Sequence, residues 1–255
     1  MVKNILSIII FLYFTNKAFA QDEIDTDRPD QTESPVTVNK SVLQIEHGFG
    51  IERDNSISVF GSSTLLRYGL LKNIELRLET DIAYTPSTNF SAATTELQPI
   101  AVGTKISLWK EKKWIPKTSL LIHVGIPFLA ARSFKNFNAQ PEIKLAFQNN
   151  LSQTISWGYN VGAEWDGETS NPAYIYTFSN GINLSKKIYG FVEIFGSFKK
   201  NESPQHNLDA GLSLLVNNNC KVDISSAAGI TRSAPDWSIA IGASIRFNMR
   251  KNRFI

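Results

Sequence analysis

The sequence predicts an all-β protein: a transmembrane, up-and-down antiparallel β-barrel of about 12 strands, preceded by an extended N-terminal segment. Three observations carry this expectation. The chain opens on an export signal. From residue 41 to residue 247 apolar and polar residues alternate with period two. Aromatic residues gather at both sets of expected strand ends, and the connections on one side are short.

Composition narrows the alternatives. The 255 residues are 42% hydrophobic and 19% charged, too apolar for a disordered chain. After residue 20 no run approaches the roughly 18 apolar residues that a spanning helix needs. The single Cys220 excludes an intramolecular disulfide framework and a Cys-based zinc site. Net charge is +3. Without Lys3 and Lys17 the chain carries 24 basic and 23 acidic residues, so charge makes no case for nucleic acid as a partner.

Residues 1–20 read MVKNILSIIIFLYFTNKAFA. Lys3 supplies the positive start, Ile5–Phe14 the apolar stretch and Ala18-Phe19-Ala20 the cleavage pattern, which predicts a signal peptide removed after Ala20. The apolar run is too short to span a bilayer, and Asn16 and Lys17 interrupt it. Residues 21–40, QDEIDTDRPDQTESPVTVNK, have neither helical nor strand periodicity and are expected to be an extended polar segment. Residues 41–247 are the barrel, and residues 248–255 a C-terminal tail.

The strands follow from parity. Leu43, Ile45, Phe49 and Ile51 alternate with Gln44, Glu46 and Glu52. In Ile74–Tyr84 the residues Ile74, Leu76, Leu78, Ile82 and Tyr84 share one face, and Glu75, Arg77, Glu79 and Asp81 the other. A helix would scatter those charges around its axis; a strand separates them. The pattern returns at Ile100–Leu108, Leu120–Ile126, Ile143–Phe147, Trp157–Trp165, Tyr174–Leu184, Val192–Phe198, Leu208–Leu214, Val222–Ile230 and Trp237–Phe247. Only Ser56–Gly69 is ambiguous, because Ile57, Val59 and Leu65 share a face with Arg67. Such strands are longer than the usual five or six residues of soluble sheets and match the 9–11 of a tilted spanning strand. Slipping Ile74–Tyr84 by one residue would put four charges into lipid, at roughly 2–4 kcal/mol each near the midplane.

Tyr84, Phe128, Trp165, Tyr174, Phe198 and Trp237 mark one set of strand ends, and Tyr68, Trp109, Trp157, Tyr189 and Phe247 the other. An even strand number places both termini on one side. The turns expected there, such as Leu71–Asn73, Ser185–Lys187 and Asn217–Asn219, are short. Thr85–Glu96 and Leu129–Ala139, on the opposite side, are longer, although Asp54–Ser56 there is short. Short periplasmic turns and longer outer connections fit an outer-membrane barrel with lipid as its surrounding partner.

The decapeptide Thr26-Asp27-Arg28-Pro29-Asp30-Gln31-Thr32-Glu33-Ser34-Pro35 resembles the opening of outer-membrane proteins of the phenol-degradation MetA-pathway family, transporter-like barrels common in Bacteroidetes-type bacteria. Tyr68-Gly69 followed by Asn73-Ile74-Glu75-Leu76-Arg77 is similar too, as are Val102-Gly103-Thr104-Lys105, Asp209-Ala210-Gly211-Leu212 and Val222-Asp223-Ile224-Ser225. The resemblance covers essentially the whole chain after the signal. It implies a channel in the outer membrane of a Gram-negative cell, taking up aromatic or other apolar small molecules, and no enzyme. Many such barrels end on an aromatic residue read by the barrel-insertion machinery. Here Phe247 is followed by NMRKNRFI, which blurs that signal unless Phe254 substitutes.

Twelve strands about 4.8 Å apart and tilted about 40° give a backbone diameter of roughly 22–25 Å, and inward side chains leave roughly 10 Å or less. The expected lining carries Glu46, Glu75, Glu79, Asp81, Glu142, Glu164, Glu193, Asp209 and Asp223 against Arg67, Arg77, Lys105, Lys144, Lys221 and Arg246, with His123 among them. Both signs occur, so a ring of one charge is not indicated. Two readings stand: a salt-bridged network that fills the interior, or a polar constriction that selects solutes. Asp25, Asp27, Asp30 and Glu33 could enter the periplasmic mouth and pair with lumen arginines while Arg28 pairs with a lumen acid, which would make residues 21–40 a plug or latch; the alternative is a solvated tail. The acids match no calcium-loop spacing, and no metal or cofactor is expected. Ser179-Asn180-Gly181 superficially resembles the motif of barrel-borne lipid hydrolases, but Thr177 stands where a general base is needed. His47 is expected on the outward face at the interface. A structural barrel with a closed lumen is the remaining alternative.

Overall fold

The computed structural model describes residues 23–87, 92–134 and 137–249. The expected signal peptide, its cleavage site and Phe254 lie outside them. Thirteen strands follow one another: β1 (Val42–Asp54), β2 (Ile57–Leu71), β3 (Ile74–Thr85), β4 (Thr94–Leu97), β5 (Ile100–Trp109), β6 (Lys117–Ile126), β7 (Gln140–Asn150), β8 (Ile155–Glu164), β9 (Ala173–Asn183), β10 (Ile188–Lys199), β11 (Gln205–Asn217), β12 (Cys220–Gly229) and β13 (Trp237–Asn248). Two 3-10 turns, Pro127–Leu129 and Arg132–Phe134, sit between β6 and β7. All pairings are antiparallel. β13 returns to β1, from Val42 opposite Asn248 to Arg53 opposite Trp237, and closes the barrel.

Twelve strands form the wall, and β4 is the extra one. β3 pairs with β5 over Ile74–Glu79 and with β4 over Ile82–Thr85. Between the two, the Gln98 N–H donates to the Asp81 carbonyl at 2.9 Å. β4 and β5 therefore act as one strand broken at Gln98-Pro99, where proline has no N–H to give the ladder. The expected loop Thr85–Glu96 is corrected accordingly: its last residues belong to the wall, and four residues are too few to display a period.

Register confirms parity, since directly opposed residues share a face. Leu76 lies opposite Tyr68 and Thr104, while Arg77 lies opposite Arg67 and Gly103. β2 resolves the ambiguous stretch. Leu65 and Arg67 are buried inside, whereas Phe60, Tyr68 and Leu70 are exposed on the lipid face. The polarity is locally mixed because Ser62 and Thr64 also face outward, opposite Phe49 and His47. His47 is outward, as expected, but lies mid-strand instead of at the interface, where its Nδ1 and Thr64 Oγ1 are 2.8 Å apart.

Connections 72–73, 110–116, 151–154, 184–187 and 218–219 lie on the side of the two termini; the opposite side carries the 127–139, 165–172, 200–204 and 230–236 connections. Tyr84, Phe128, Tyr174, Phe198 and Trp237 are exposed on one belt, and Tyr68, Trp109, Trp157 and Phe247 on the other. Two aromatics depart from the expectation. Tyr189 opposes Ser213 and Asn183 on the inward face and lines the lumen, as its odd position in β10 requires. Trp165 follows the end of β8 and turns into the outer mouth.

The burial pattern is inverted. Arg67, Lys105, Gln44, Glu46, Glu75 and Glu193 are among the most deeply buried side chains, while Ile239, Ile241, Ile224, Leu212 and Val192 are exposed outside. A wall facing lipid demands this arrangement, and the buried charges demand partners inside.

Candidate functional site

The interior is occupied by the N-terminal segment. It enters beside the turn between β11 and β12, on the side of the two termini, where the Ile24 N–H donates to the Asn218 carbonyl at 3.0 Å. It leaves at Ser41, whose N–H donates to the Gly69 carbonyl at 2.7 Å. Between these points it crosses the lumen and returns, touching opposite walls.

Asp27 is the centre. Its carboxylate accepts from Lys105 Nζ at 2.9 and 2.8 Å and from Arg77 at 2.7 Å, with Arg67 at 3.2 Å. Burial alone would raise its pKa, but the Arg67, Lys105 and Arg77 charges hold it well below the usual carboxylate range. The backbone N–H groups of Asp27 and Arg28 donate to Glu46 at 3.0 and 3.1 Å. Glu46 and Glu75 also hold Arg67, at 2.9 and 2.8 Å. Arg67 and Arg77 stand directly opposite in register, a repulsive arrangement that Glu75 and Asp27 neutralise.

The segment continues along the wall. Arg28 pairs with Asp223 at 2.9 Å, over Gly48 and Gly242, where a side-chain Cβ would collide with its guanidinium. The Gln31 N–H donates to Glu193 at 2.7 Å, and the Thr32 hydroxyl bonds Glu193 and, at 2.7 Å, Thr177. Glu33 pairs with Arg77 at 2.9 Å and Lys144 at 3.1 Å; against the cost of burial these cations keep its carboxyl below the ordinary value. The Glu33 N–H donates to Asn160 at 2.8 Å. Ser119 donates to the Pro35 carbonyl at 2.5 Å, and the Val38 N–H to Glu75 at 2.7 Å.

Two acids of the segment behave differently from the expectation. Asp30 meets no arginine: burial and the nearby Glu193 carboxylate raise its pKa well above the ordinary value, with a hydrogen bond from Ser179 at 3.2 Å. Asp25 uses its carbonyl, which accepts from Gln44 at 2.7 Å, while its Oδ1 is buried without a hydrogen-bond partner.

The other lumen candidates spread over three levels. Arg246 sits at the rim on the side of the two termini, donating to Asn219 at 2.9 Å, and Lys221 reaches Thr26 at 3.4 Å. Asp209, opposite Glu193 in register, accepts from the Ala210 and Ser226 backbone. His123, Glu142, Lys144, Glu79, Asp81 and Glu164 belong to the outer half. His123 Nδ1 and Glu142 are 3.0 Å apart, and Lys144 pairs with Glu142 at 2.6 Å. Glu79, Asp81, His123, Glu142, Glu164 and Trp165 line an outer cavity of about 500 Å3. A second cavity, of about 310 Å3, opens on the side of the two termini beside Asp25, Asp30 and Tyr189. Glu33, His123 and Glu142 bring one metal-ligating atom each within 4.8 Å of one another, yet Lys144 and Arg77 already neutralise these carboxylates, which makes the set a salt-bridge node.

Neutral groups were not foreseen. Gln44, Ser119, Asn160, Thr177 and Ser179 all receive the segment; inward parity was their only signal. Ser179 is engaged with Asp30 inside the lumen and has no histidine among its hydrogen-bond partners.

The model of the family described as "Putative MetA-pathway of phenol degradation" matches residues 26–247, both segment and barrel. The chain belongs to this family. An outer membrane channel from Pseudomonas putida F1 has the same fold as this MetA-pathway family member, with a TM-score of 0.61 at 9% identity over 88% of this chain and 100% of that one. The KdgM porin in complex with disordered oligogalacturonate aligns with a TM-score of 0.58 at 10% identity over 80% and 99% of the two chains. The NanC porin aligns at 0.55, with 10% identity over 80% and 98%. No curated protein matches in sequence. The barrel thus resembles outer-membrane channels and porins, whose walls face lipid.

Proposed function

We propose that this MetA-pathway family member is an outer-membrane channel for small solutes, closed at rest by residues 23–38, and that it performs no chemistry of its own. The observation that carries this reading is the sharing of charge between segment and wall. Arg77, Lys105 and Lys144 have their carboxylate partners largely on Asp27 and Glu33 of the segment, so the lumen is completed by a removable part. A purely structural barrel would neutralise its cations within the wall. The family resemblance favours small aromatic or apolar solutes. Export through a signal peptide, insertion by the barrel-assembly machinery and a Gram-negative outer membrane complete the reading.

A reversible lock tests the closure. Thr32 and Thr177 hydroxyls are 2.7 Å apart, so T32C/T177C in a C220S background can bridge segment and wall. Under oxidant the locked barrel passes no current in planar bilayers, and reduction restores the transient openings of the parent protein. Equal conductance in both states would overturn the closure.

A further inference from the structure

The outer cavity has a largely acidic lining. Glu79, Asp81 and Glu164 line it, and among the described residues none of the three is in an ion pair. The cations nearby are engaged elsewhere. Lys199 pairs with Asp166 at 2.6 Å and Glu202 at 2.7 Å. Lys144 and Arg77, outside the lining, are held by Glu33, Glu142, Glu75 and Asp27. Three carboxyls that lack a close ion-pair partner around one cavity outnumber Lys199, the one lysine of the lining, and leave a negative balance there.

A second observation is independent of the acids. His123 is 5% exposed and its Nε2 has no hydrogen-bond partner. Its Nδ1 faces the Glu142 carboxylate at 3.0 Å. A carboxylate only accepts, so Nδ1 carries the proton, and in the neutral ring Nε2 presents a lone pair. The ring is placed deliberately. Gly103 lies opposite His123, and a Cβ there would stand 1.8 Å from the imidazole Cδ2. The lining therefore offers carboxylate acceptors to a cation, beside a buried imidazole Nε2 that has no partner of its own.

The remaining walls fix the class of ligand. Trp165, Pro99 and Pro141 contribute apolar surface, the indole being suited to a cation over its face. A cavity of about 500 Å3 lies in the range of small-molecule sites and far exceeds one metal ion. We propose that the outer vestibule binds a small organic ammonium solute, its N–H donors meeting Glu79, Glu164 and His123 Nε2 and its apolar body lying against Trp165. This rests on the channel reading only for the direction of entry.

The test uses the full-length protein in detergent, with phenethylammonium as probe and 2-phenylethanol as its neutral isostere, followed by titration calorimetry and Trp fluorescence. Phenethylammonium binds saturably at one site, and the alcohol at least about tenfold more weakly, the scale of one charge-assisted hydrogen bond. E79Q/E164Q weakens the ammonium about tenfold or more. H123L, which removes the imidazole while leaving Glu79, Asp81 and Glu164 in place, also weakens it; it serves as the second variant if the double amide does not fold, judged by heat-modifiable electrophoretic mobility. Equal affinity for ammonium and alcohol, or ammonium binding unchanged in the folded variants, would overturn the vestibule. Bilayer current from a barrel lacking residues 23–38 tests the channel separately. Its absence beside saturable ammonium binding overturns the channel and supports the vestibule. Current without ammonium binding overturns the vestibule alone.

Discussion

Asp27 faces Lys105, Arg77 and Arg67 at once, so its removal leaves buried Lys105 with Glu33 at 3.6 Å and takes one partner from each arginine. Breaking such a buried set costs about 3–5 kcal/mol. Asp27→Asn should loosen the segment by that order, read as faster hydrogen exchange at the Gln31, Glu33 and Val38 amides, which donate to Glu193, Asn160 and Glu75. Unchanged exchange would remove Asp27 from the centre of the account. The acids of the segment also give a pH dependence with two opposed signs. Asp30 is raised by burial and by Glu193, so docking tightens as pH falls from 7 toward about 4 and Asp30 takes its proton. Asp27 and Glu33 are lowered, so their contribution is complete above the ordinary carboxylate range and is lost below about pH 4. Exchange protection of the segment should therefore peak near pH 4. Asp30→Asn, which keeps the Ser179 contact but cannot titrate, should abolish the rise from pH 7 while keeping the acid loss.

At the scale of the strand, parity decides energy. Ile241 lies mid-strand in β13, opposite Phe49 and Ile224, and faces outward at 53% exposure. Ile241→Arg should destabilise the barrel by about 2–4 kcal/mol in lipid, measured by refolding into vesicles across a urea gradient; a cost near zero would take this face out of the bilayer. Parity was also what made the fold readable beforehand. In Ile74–Tyr84 every acidic or basic residue falls on one face, and the structure turns that face inward. Where sequence reading failed, the period was too short or was overridden. β4 has four residues and is separated from β5 by Pro99. Tyr189 and Trp165 were assigned to the lipid belts because they are aromatic near a strand end, although the position of Tyr189 between Ile188 and Gly190 already placed it inside. The partners of each segment residue were not legible at all, since they depend on which strands of the closed wall come within reach. Asp30 shows the consequence: it carries the same charge as Asp27 but meets Glu193 instead of a guanidinium.

At the scale of the molecule the chain is a barrel with its polar core inside and its apolar surface outside, completed by its own N-terminal segment. Its moderate hydrophobic content and near-neutral charge follow from this division, because lipid-facing and lumen-facing residues alternate and the lumen must balance its charges. The central claim is that the segment closes the passage. Deleting residues 23–38 and recording single-channel current in planar bilayers tests it most directly. The account predicts a stable, long-lived open conductance from the shortened barrel where the full chain is closed for most of the time. A shortened barrel that folds, as judged by its heat-modifiable mobility, and conducts no more than the full chain would contradict it.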